Sequence, residues 1–250
     1  MKDKIVINEI FISFEGEGPF VGMKTLFVRL AGCPLRCYWC DTEYALEMIG
    51  TTHNIDELAN KILDLAHKNN VDKMNLTGGD PLMQLNEVRL LCEKLKGNSR
   101  NNDEYIPLYL ESSCYSSYAM SVLLPFIDYM KVEFKLPSSK AMKNMDALIN
   151  EEIKSLQLVY TSHNIINYYI KIIVSEKEDY DDINMIFKRM NSLSKDVNND
   201  KRFLGVYIQP EYRSLKKFTM QDYNRFYDTA KQYFDVVRIL PQVHKMLLLE

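Results

Sequence analysis

The stretch A-G-C-P-L-R-C-Y-W-C-D-T, Ala31 to Thr42, decides how this chain is interpreted. It places Cys33, Cys37 and Cys40 in a C-x3-C-x2-C run directly after an apolar, strand-like segment at 25–31. A [4Fe–4S] cluster normally takes four thiolates. Three would leave one iron without a protein ligand and open to a small molecule. The spacing therefore favours a cluster with an open coordination site.

Two other interpretations of the cysteines start from ordinary protein chemistry. Free cysteine is often a small core residue, but three of them crowded into a proline-containing loop do not fit that pattern. A structural zinc ion needs four closed ligands. His53 is the nearest histidine, and Cys92 and Cys114 are remote in sequence. We expect Cys92 to pack in the core and Cys114 to be structural.

Strand-like and helix-like segments alternate along the rest of the chain, which predicts an α/β fold built around a parallel sheet or barrel. Asn54 is a plausible N-cap of the first helix, with Glu57 three residues later. The predicted strands cover 5–13, 25–31, 72–77, 106–111, 129–135, 168–174, 203–208 and 235–240. The later predicted helices cover 84–96, 116–126, 141–158, 180–193 and 219–231. Polar loops are expected at 97–104 and 195–201.

Ligands of such folds gather at the carboxyl ends of the parallel strands. Four chemically distinctive segments lie at predicted strand ends: the cysteine loop, 77–79, 111–113 and 209–210. Their convergence on one face is the structural prediction on which the functional one depends.

Composition limits the class of protein. The chain has 250 residues, 46% of them hydrophobic, which is enough for a sizeable core. Its net charge is −3, and no basic stripe with interleaved aromatics indicates nucleic-acid binding. We predict neither a secretory signal nor a membrane span. Five cysteines, three of them clustered, fit a reducing compartment, so we expect a cytoplasmic protein.

The cysteine motif resembles the radical S-adenosylmethionine (SAM) superfamily, whose cluster reduces SAM to a 5′-deoxyadenosyl radical. The segment T-G-G-D-P at 77–81 is similar to the superfamily's GGE motif, with an aspartate for the usual glutamate. L-E-S-S at 110–113 resembles its E-T-x-G strand end, and 134–140 resembles a P-S-S segment near SAM. The resemblance implies a partial, modified (β/α) barrel. The implied SAM-binding residues are Tyr38, Trp39, Gly78, Gly79, Asp80, Glu111, Ser113, Lys135, Ser138 and Gln209.

Both ends of the chain narrow the resemblance. E-I-F-I-S-F-E-G-E-G-P-F-V-G at 9–22, F-V-R-L-A-G-C at 27–33 and R-I-L-P-Q-V-H-K at 238–245 closely resemble the 7-carboxy-7-deazaguanine synthase family. The implied reaction converts 6-carboxy-5,6,7,8-tetrahydropterin to 7-carboxy-7-deazaguanine with loss of ammonia, after hydrogen abstraction at C6. The implied organisation is a single domain over 1–250, whose site is completed by an N-terminal strand and loop (5–24) and a C-terminal tail (236–250).

The same resemblance assigns the substrate site. Arg29 would bind the substrate carboxylate, because a guanidinium fork makes two parallel hydrogen bonds to it. Glu15, which replaces a glutamine of the family, and Glu17 would accept from the amino and ring N–H groups of the pterin. The full set is Phe14, Glu15, Gly16, Glu17, Arg29, Thr77 and His244. Without the family, Arg29 could be a surface arginine, E-G-E-G an acidic turn and His244 an exposed tail residue.

Further expectations follow from the resemblance. Thr42, in the C-D-T triplet, would be a ligand of a Mg²⁺ ion that also binds the substrate carboxylate; a helix N-cap is the alternative. A flavodoxin- or ferredoxin-type electron donor and a homodimer are implied as well. Two rival functions stay open. One is a glycyl-radical-activating enzyme that acts on a partner protein, and the other is a non-enzymatic iron–sulfur binding protein.

Overall fold

A computed structural model describes residues 3–99 and 105–248. Within them nine strands form one sheet in the order β3-β1-β2-β4-β5-β6-β7-β8-β9. The strands are β1 Lys4–Phe14, β2 Lys24–Leu30, β3 Thr51–Asn54, β4 Lys73–Gly78, β5 Leu108–Ser112, β6 Tyr129–Phe134, β7 Asn167–Val174, β8 Phe203–Pro210 and β9 Val237–Ile239. The helices are α1 Ile55–Lys68, α2 Leu85–Ser99, α3 Ser117–Leu123, α4 Met145–Thr161, α5 Asp179–Arg189, α6 Asn191–Asn198, α7 Met220–Lys231 and α8 Val243–Met246.

The topology is that of an incomplete barrel. Along the sheet, β2, β4, β5, β6, β7, β8 and β9 pair in parallel with their neighbours in this series. Strand β1 runs antiparallel to both β2 and β3. The two ends of the sheet are β3 and β9, which do not pair with each other in the described part of the chain. The predicted α/β class and partial barrel are therefore confirmed.

Alternation along the parallel strands separates an apolar face from a polar one, because successive side chains point to opposite sides. Even-numbered positions such as Met74, Leu110 and Val132 belong to the main hydrophobic core. Odd-numbered positions point to the opposite face of the sheet, which is polar. They include Lys73, Asn75, Tyr109, Glu111, Lys131, Glu133, Tyr169 and Lys171, which contact one another within and between strands.

Local chemistry explains most element boundaries. Asn54 caps α1 as predicted, since its side chain accepts from the backbone N–H groups of Asp56 and Glu57. The helix predicted over 116–126 ends at Leu123 and continues as a 3-10 turn that contains Pro125. The single helix predicted over 180–193 is two helices, α5 and α6, which meet at Met190.

Other differences are small. The four-residue strand β3 was not predicted, because a strand that short carries too little alternation to be recognised. Of the polar loop predicted at 97–104, residues 100–104 lie outside the described residues. Cys92 and Cys114 are fully buried, as expected. No helix in the described ranges has the length and apolar character needed to cross a membrane.

Candidate active site

A cavity of about 600 Å³ lies at the carboxyl ends of the parallel strands. The cysteine loop and the ends of β4, β5 and β8 all contribute to it, so the predicted convergence is confirmed. The expected site residues that line it are Phe14, Glu15, Gly16, Glu17, Arg29, Cys33, Cys37, Trp39, Cys40, Thr42, Thr77, Gly78, Gly79, Asp80, Glu111, Ser113, Lys135, Gln209 and His244.

Two residues expected to contact SAM do not line the cavity. The Tyr38 side chain points outward and is 43% exposed, with its ring edge-on to that of Trp39. Trp39 takes the inner position instead and is buried. Ser138 lies in the 3-10 turn Pro137–Ser139, outside the lining. Neither side chain lines the cavity, and the expected SAM contacts of Tyr38 and Ser138 stay predictions.

The cysteine loop is held by backbone hydrogen bonds to its surroundings. Gly32 and Cys33 donate to the carbonyl groups of Ala45 and Leu46, both at 2.9 Å. Arg36 and Tyr38 donate to the segment that follows β6, with Arg36 N 2.8 Å from the Ala141 carbonyl oxygen. The loop is therefore fixed at its start and in its middle by independent parts of the chain.

The three thiols fit an iron–sulfur cluster. Cys33, Cys37 and Cys40 are free, half-buried and share the cavity. In the described ranges, no three His, Cys, Asp or Glu side chains converge as ligands of a single metal ion would. A cubane does not need such convergence, because its thiolates bind different iron atoms. Burial raises the pKa of Cys33 to about 12, so cluster binding must displace the proton of this thiol.

The two glycines after β4 allow the backbone of the cysteine loop to approach closely. A Cβ atom at Gly79 would stand 2.5 Å from the Ala45 carbonyl oxygen and closer still to that of Gly32. Gly78 has φ +132°, a conformation that side chains disfavour. Gly79 N donates to Leu30 O at 3.0 Å. The glycine pair therefore seats the cysteine loop, in addition to any ligand contact.

Asp80 is engaged by protein groups. Its carboxylate accepts from the Ser112 hydroxyl at 2.9 Å, from Ser113 N at 2.9 Å and from the Ser113 hydroxyl at 2.5 Å. It also caps the 3-10 turn Pro81–Gln84 by accepting from Leu82 N at 3.0 Å. Asp80, which stands where the superfamily has glutamate, is thus in direct contact with the serine pair at the end of β5.

A network of buried charges forms the floor and wall of the cavity. Glu17 pairs with Lys171, and Lys131 lies 2.9 Å from Glu133 and 3.6 Å from Glu111. Burial opposes ionisation of Glu17, but Lys171 and Lys131 outweigh it and hold the pKa of Glu17 well below its usual value. Glu17 also accepts from the Gln209 and Gln242 side chains, at 3.0 and 2.9 Å. It is therefore an ionised acceptor in a fixed position.

Arg29 is held at the cavity wall rather than at the free surface. Its Nε atom lies 2.5 Å from Glu9 Oε1, and its side chain is only 15% exposed. The guanidinium carbon sits 5.4 Å from the centroid of the Phe11 ring and 6.0 Å from that of Tyr44. Tyr44 donates to the same Glu9 oxygen at 2.8 Å. These contacts fix one edge of the guanidinium within the cavity.

The chain ends meet over the cavity. Val243 N donates to the Gly16 carbonyl oxygen at 3.0 Å. The His244 side chain packs so closely on Gly16 that an added Cβ would stand 2.5 Å from its ring nitrogen Nδ1. Gln242 bridges Glu17 and Asp41. The tail therefore contributes Gln242, His244 and Lys245 to the cavity lining.

Thr42 precedes a short 3-10 turn at Glu43–Ala45, yet its side chain makes no capping hydrogen bond there. Its hydroxyl lies 3.7 Å from the Cys40 sulfur. The alternative role as a helix cap is therefore not realised, and the hydroxyl faces the cavity.

Sequence analysis missed four residues that line the cavity and one that lies behind it. The four are Lys131, Glu133, Lys171 and Gln242, and the fifth is Lys73. A signal was present for two of them, because Lys131 and Glu133 alternate with the apolar residues of one strand, and Lys135 continues the series in Y-M-K-V-E-F-K. Charged residues at every second position of a buried parallel strand indicate a polar interior rather than solvent.

Comparisons with known proteins agree with this geometry. A family model described as a 4Fe-4S single cluster domain matches residues 14–149. A 7-carboxy-7-deazaguanine synthase of Archaeoglobus fulgidus is 28% identical, with 96% of each chain covered. One of Rickettsia prowazekii is 30% identical and covers 83% of this chain and 82% of that protein.

Solved structures share the fold. The crystal structure of QueE from Escherichia coli has a TM-score of 0.56 at 17% identity and covers 96% of this chain and 95% of that chain. Polyhistidine-tagged anSMEcpe with bound AdoMet has a TM-score of 0.52 at 14% identity, over 83% of this chain and 61% of that chain. The cluster-domain match over more than half of the sequence, together with relatives aligned along most of it, shows that this chain belongs to the 7-carboxy-7-deazaguanine synthase family.

Proposed function

We propose that the chain is a radical SAM lyase that converts 6-carboxy-5,6,7,8-tetrahydropterin to 7-carboxy-7-deazaguanine with loss of ammonia. One observation carries this proposal. The three cysteines share a single cavity with Glu17 and Arg29 from the N-terminal strands and with His244 from the tail. A cavity of this size, rich in fixed polar groups, suits a small flat heterocycle with a carboxylate.

Cys33, Cys37 and Cys40 would hold a [4Fe–4S] cluster, and the ends of β4, β5 and β8 would hold SAM. When bound, these groups supply the 5′-deoxyadenosyl radical that takes a hydrogen atom from C6 of the pterin. Trp39 supports this placement, because its buried indole N–H lies beside the cysteines without a hydrogen-bond partner in the described residues.

The protein's own task is to orient the substrate and exclude water. Arg29 would bind the substrate carboxylate, with Thr77 beside it, since the two residues are in register across β2 and β4. Glu17 would accept from the pterin's N–H groups, because Lys171 keeps it ionised. Phe14, Gly16 and His244 would cover the ring from the chain ends.

A Mg²⁺ ion near Thr42 is part of the proposal. Magnesium often takes few protein ligands and completes its shell with substrate oxygen and water. The Thr42 hydroxyl, which makes no capping hydrogen bond, would supply one such ligand. The neighbouring Asp41 is already engaged by Gln242 at 3.2 Å and by Lys245 at 3.3 Å.

Three wider proposals rest on the family resemblance and the cysteine chemistry. The chain works as a homodimer, a flavodoxin- or ferredoxin-type protein supplies the electron, and the reducing cytoplasm is its compartment. Gel filtration of the reconstituted protein with light scattering tests the first of these. A monomeric mass would contradict it.

Anaerobic turnover tests the function. Protein reconstituted with iron and sulfide is mixed with SAM, dithionite, magnesium and 6-carboxytetrahydropterin, and products are followed by mass spectrometry. We expect 7-carboxy-7-deazaguanine. 5′-Deoxyadenosine without that product would keep the radical chemistry and overturn the substrate. A fully reduced cluster with neither product would overturn the enzymatic proposal.

A further inference from the structure

A buried ion pair lies at the deep end of the cavity, and one of its members, Lys73, is outside the set of residues that the resemblance assigns. Lys73 Nζ is 2.6 Å from Glu15 Oε2, and both side chains are almost completely inaccessible to solvent. Glu15 lines the cavity, whereas Lys73 lies behind it. An ion pair withdrawn this far from water is costly unless its partners are held closely.

Aromatic rings enclose the lysine. Its ammonium nitrogen lies 4.2 Å from the centroid of the Tyr109 ring, and the Phe20 and Phe27 rings are at 5.7 and 5.9 Å. Such rings stabilise a cation but accept no strong hydrogen bond. The ammonium is therefore held at one point, where it donates to Glu15 Oε2.

The second oxygen of Glu15 stays available to a ligand. Oε1 accepts from Gly16 N at 3.2 Å, and a carboxylate oxygen has a second acceptor position. Along β4, Lys73 precedes Thr77 by four residues, which is about 13 Å of strand. Since Thr77 is in register with Arg29, the acceptor at Glu15 and the guanidinium at Arg29 mark opposite ends of the site.

We propose that Lys73 is a positioning residue that keeps Glu15 a pure hydrogen-bond acceptor, so that the site selects heterocycles carrying an amino group at the end opposite their carboxylate. This inference rests on the proposed function. A carboxylate there attracts an amino group and repels a carbonyl group at the same ring position. Lys73 contributes without touching the substrate.

Titration of Glu15 gives the inference a measurable signature. Burial and the nearby Glu111 raise the pKa of Glu15 to about 7, and Lys73 limits the increase. A protonated Glu15 would become a donor, so selection of the amino group should weaken below pH 7. The titratable or charged groups around Glu15 are Lys73, Glu17, Tyr109, Glu111, Tyr169 and His244.

Binding of two stable analogues tests the proposal without turnover. The dissociation constants of 6-carboxypterin and 6-carboxylumazine, which replaces the 2-amino group with a carbonyl, are measured by calorimetry with cluster and SAM but no reductant. At pH 8 the wild type should prefer the pterin by about 10–100-fold, as expected for a hydrogen bond to a charged group. The preference should shrink below pH 7.

Variants distinguish a positioning role of Lys73 from a role in packing alone. Lys73→Met should move the midpoint of the pH dependence upward and reduce the preference at pH 8. Lys73→Met alone leaves a buried carboxylate without its partner and could unfold the protein. The double variant Glu15→Gln/Lys73→Met removes both charges of the pair, so it provides a folded variant in that case. An amide both donates and accepts, so the double variant should bind the two analogues within about threefold at every pH.

Lys96→Met is the matched control, because it removes the lysine of another ion pair, the partly buried Lys96–Asp128, away from the cavity. It should lower Tm and leave the pterin preference unchanged. The proposal is overturned if Lys73→Met, like Lys96→Met, leaves the pterin preference and the midpoint of its pH dependence unchanged. Product formation by the wild type is scored separately. Absence of 7-carboxy-7-deazaguanine would overturn the proposed reaction, whereas an unchanged preference in the variants would overturn the role of Lys73.

Discussion

Asp80 illustrates how one residue secures the loop ends around the cavity. Its carboxylate accepts hydrogen bonds from Leu82, Ser112 and Ser113, which joins the end of β4 to that of β5. A donor left unpaired in a buried site keeps its full desolvation cost. The side chain therefore contributes to stability independently of any contact with SAM.

Asp80→Ala should lower the free energy of unfolding of the cluster-free protein by about 2–4 kcal/mol, because several buried donors lose their acceptor at once. Urea denaturation under anaerobic conditions measures the change. Asp146→Ala is the matched control, since that side chain is 79% exposed and pairs with Arg189 at the surface. A loss no larger than that of the control would remove the bracing role of Asp80.

Arg29 carries a second prediction at this scale. Its Nε is already paired with Glu9. This contact fixes one edge of the guanidinium and thereby the orientation of its two terminal nitrogens. Arg29→Lys keeps the charge but loses the planar fork. We expect KM for the pterin to rise about 10–100-fold, the cost of a charge-assisted hydrogen-bond pair. Uncoupled SAM cleavage should be spared, and its equal loss would contradict the assigned role.

Among the structural elements, the turn after β4 requires glycine at two consecutive positions. Gly79 lies against the carbonyl groups of Gly32 and Ala45, so the cysteine loop rests directly on this turn. The sequence motif alone is also compatible with an ordinary turn. The close contact between the two backbones explains why glycine is needed at this position.

Gly79→Ala should displace the cysteine loop and reduce the iron bound after reconstitution by at least about half, because the new methyl group overlaps two carbonyl oxygens. Gly97→Ala is the control: it makes the same change within α2, where nothing lies within 4 Å. This control should raise the free energy of unfolding by about 0.5–1 kcal/mol through helix propensity. Equal iron content in both variants would refute the seating role of Gly79.

The elements also show what a sequence can and cannot predict. Hydrophobic periodicity and caps located β1, β2, α1 and most later elements, because these signals are local. The end of α3 at Leu123 has a local signal in Pro125, whereas the break between α5 and α6 at Met190 has no proline or glycine to mark it. At the site, the cysteines and chain-end motifs were recognisable, but Lys73 and Lys171 gain meaning only through strand neighbours far away in sequence.

Considered as a whole, the molecule buries many charges, and their pKa values move in two directions. Burial opposes ionisation of Glu133 and Glu111, but nearby lysines outweigh it and lower their pKa values. Burial raises the pKa of Glu152 well above its usual value, against a weaker opposing hydrogen bond from Lys135 N at 3.1 Å. Carboxyl groups whose pKa is lowered in the folded state stabilise the fold above about pH 4.5. Carboxyl groups whose pKa is raised in the folded state make the fold less stable as the pH increases.

Glu152→Gln tests the effect of a carboxyl group whose pKa is raised by burial. In the folded wild type Glu152 keeps its proton above pH 4.5, whereas the unfolded chain releases it, so the folded state binds more protons and stability falls as pH rises. Glutamine keeps the acceptor for Lys135 N and cannot ionise. As the pH rises above 4.5 the variant should therefore gain stability over the wild type, by at most about 1.4 kcal/mol for each pH unit. Urea denaturation of the cluster-free protein at each pH measures this difference. Parallel curves for the two proteins would mean that Glu152 is ionised in the folded molecule and would contradict its raised pKa.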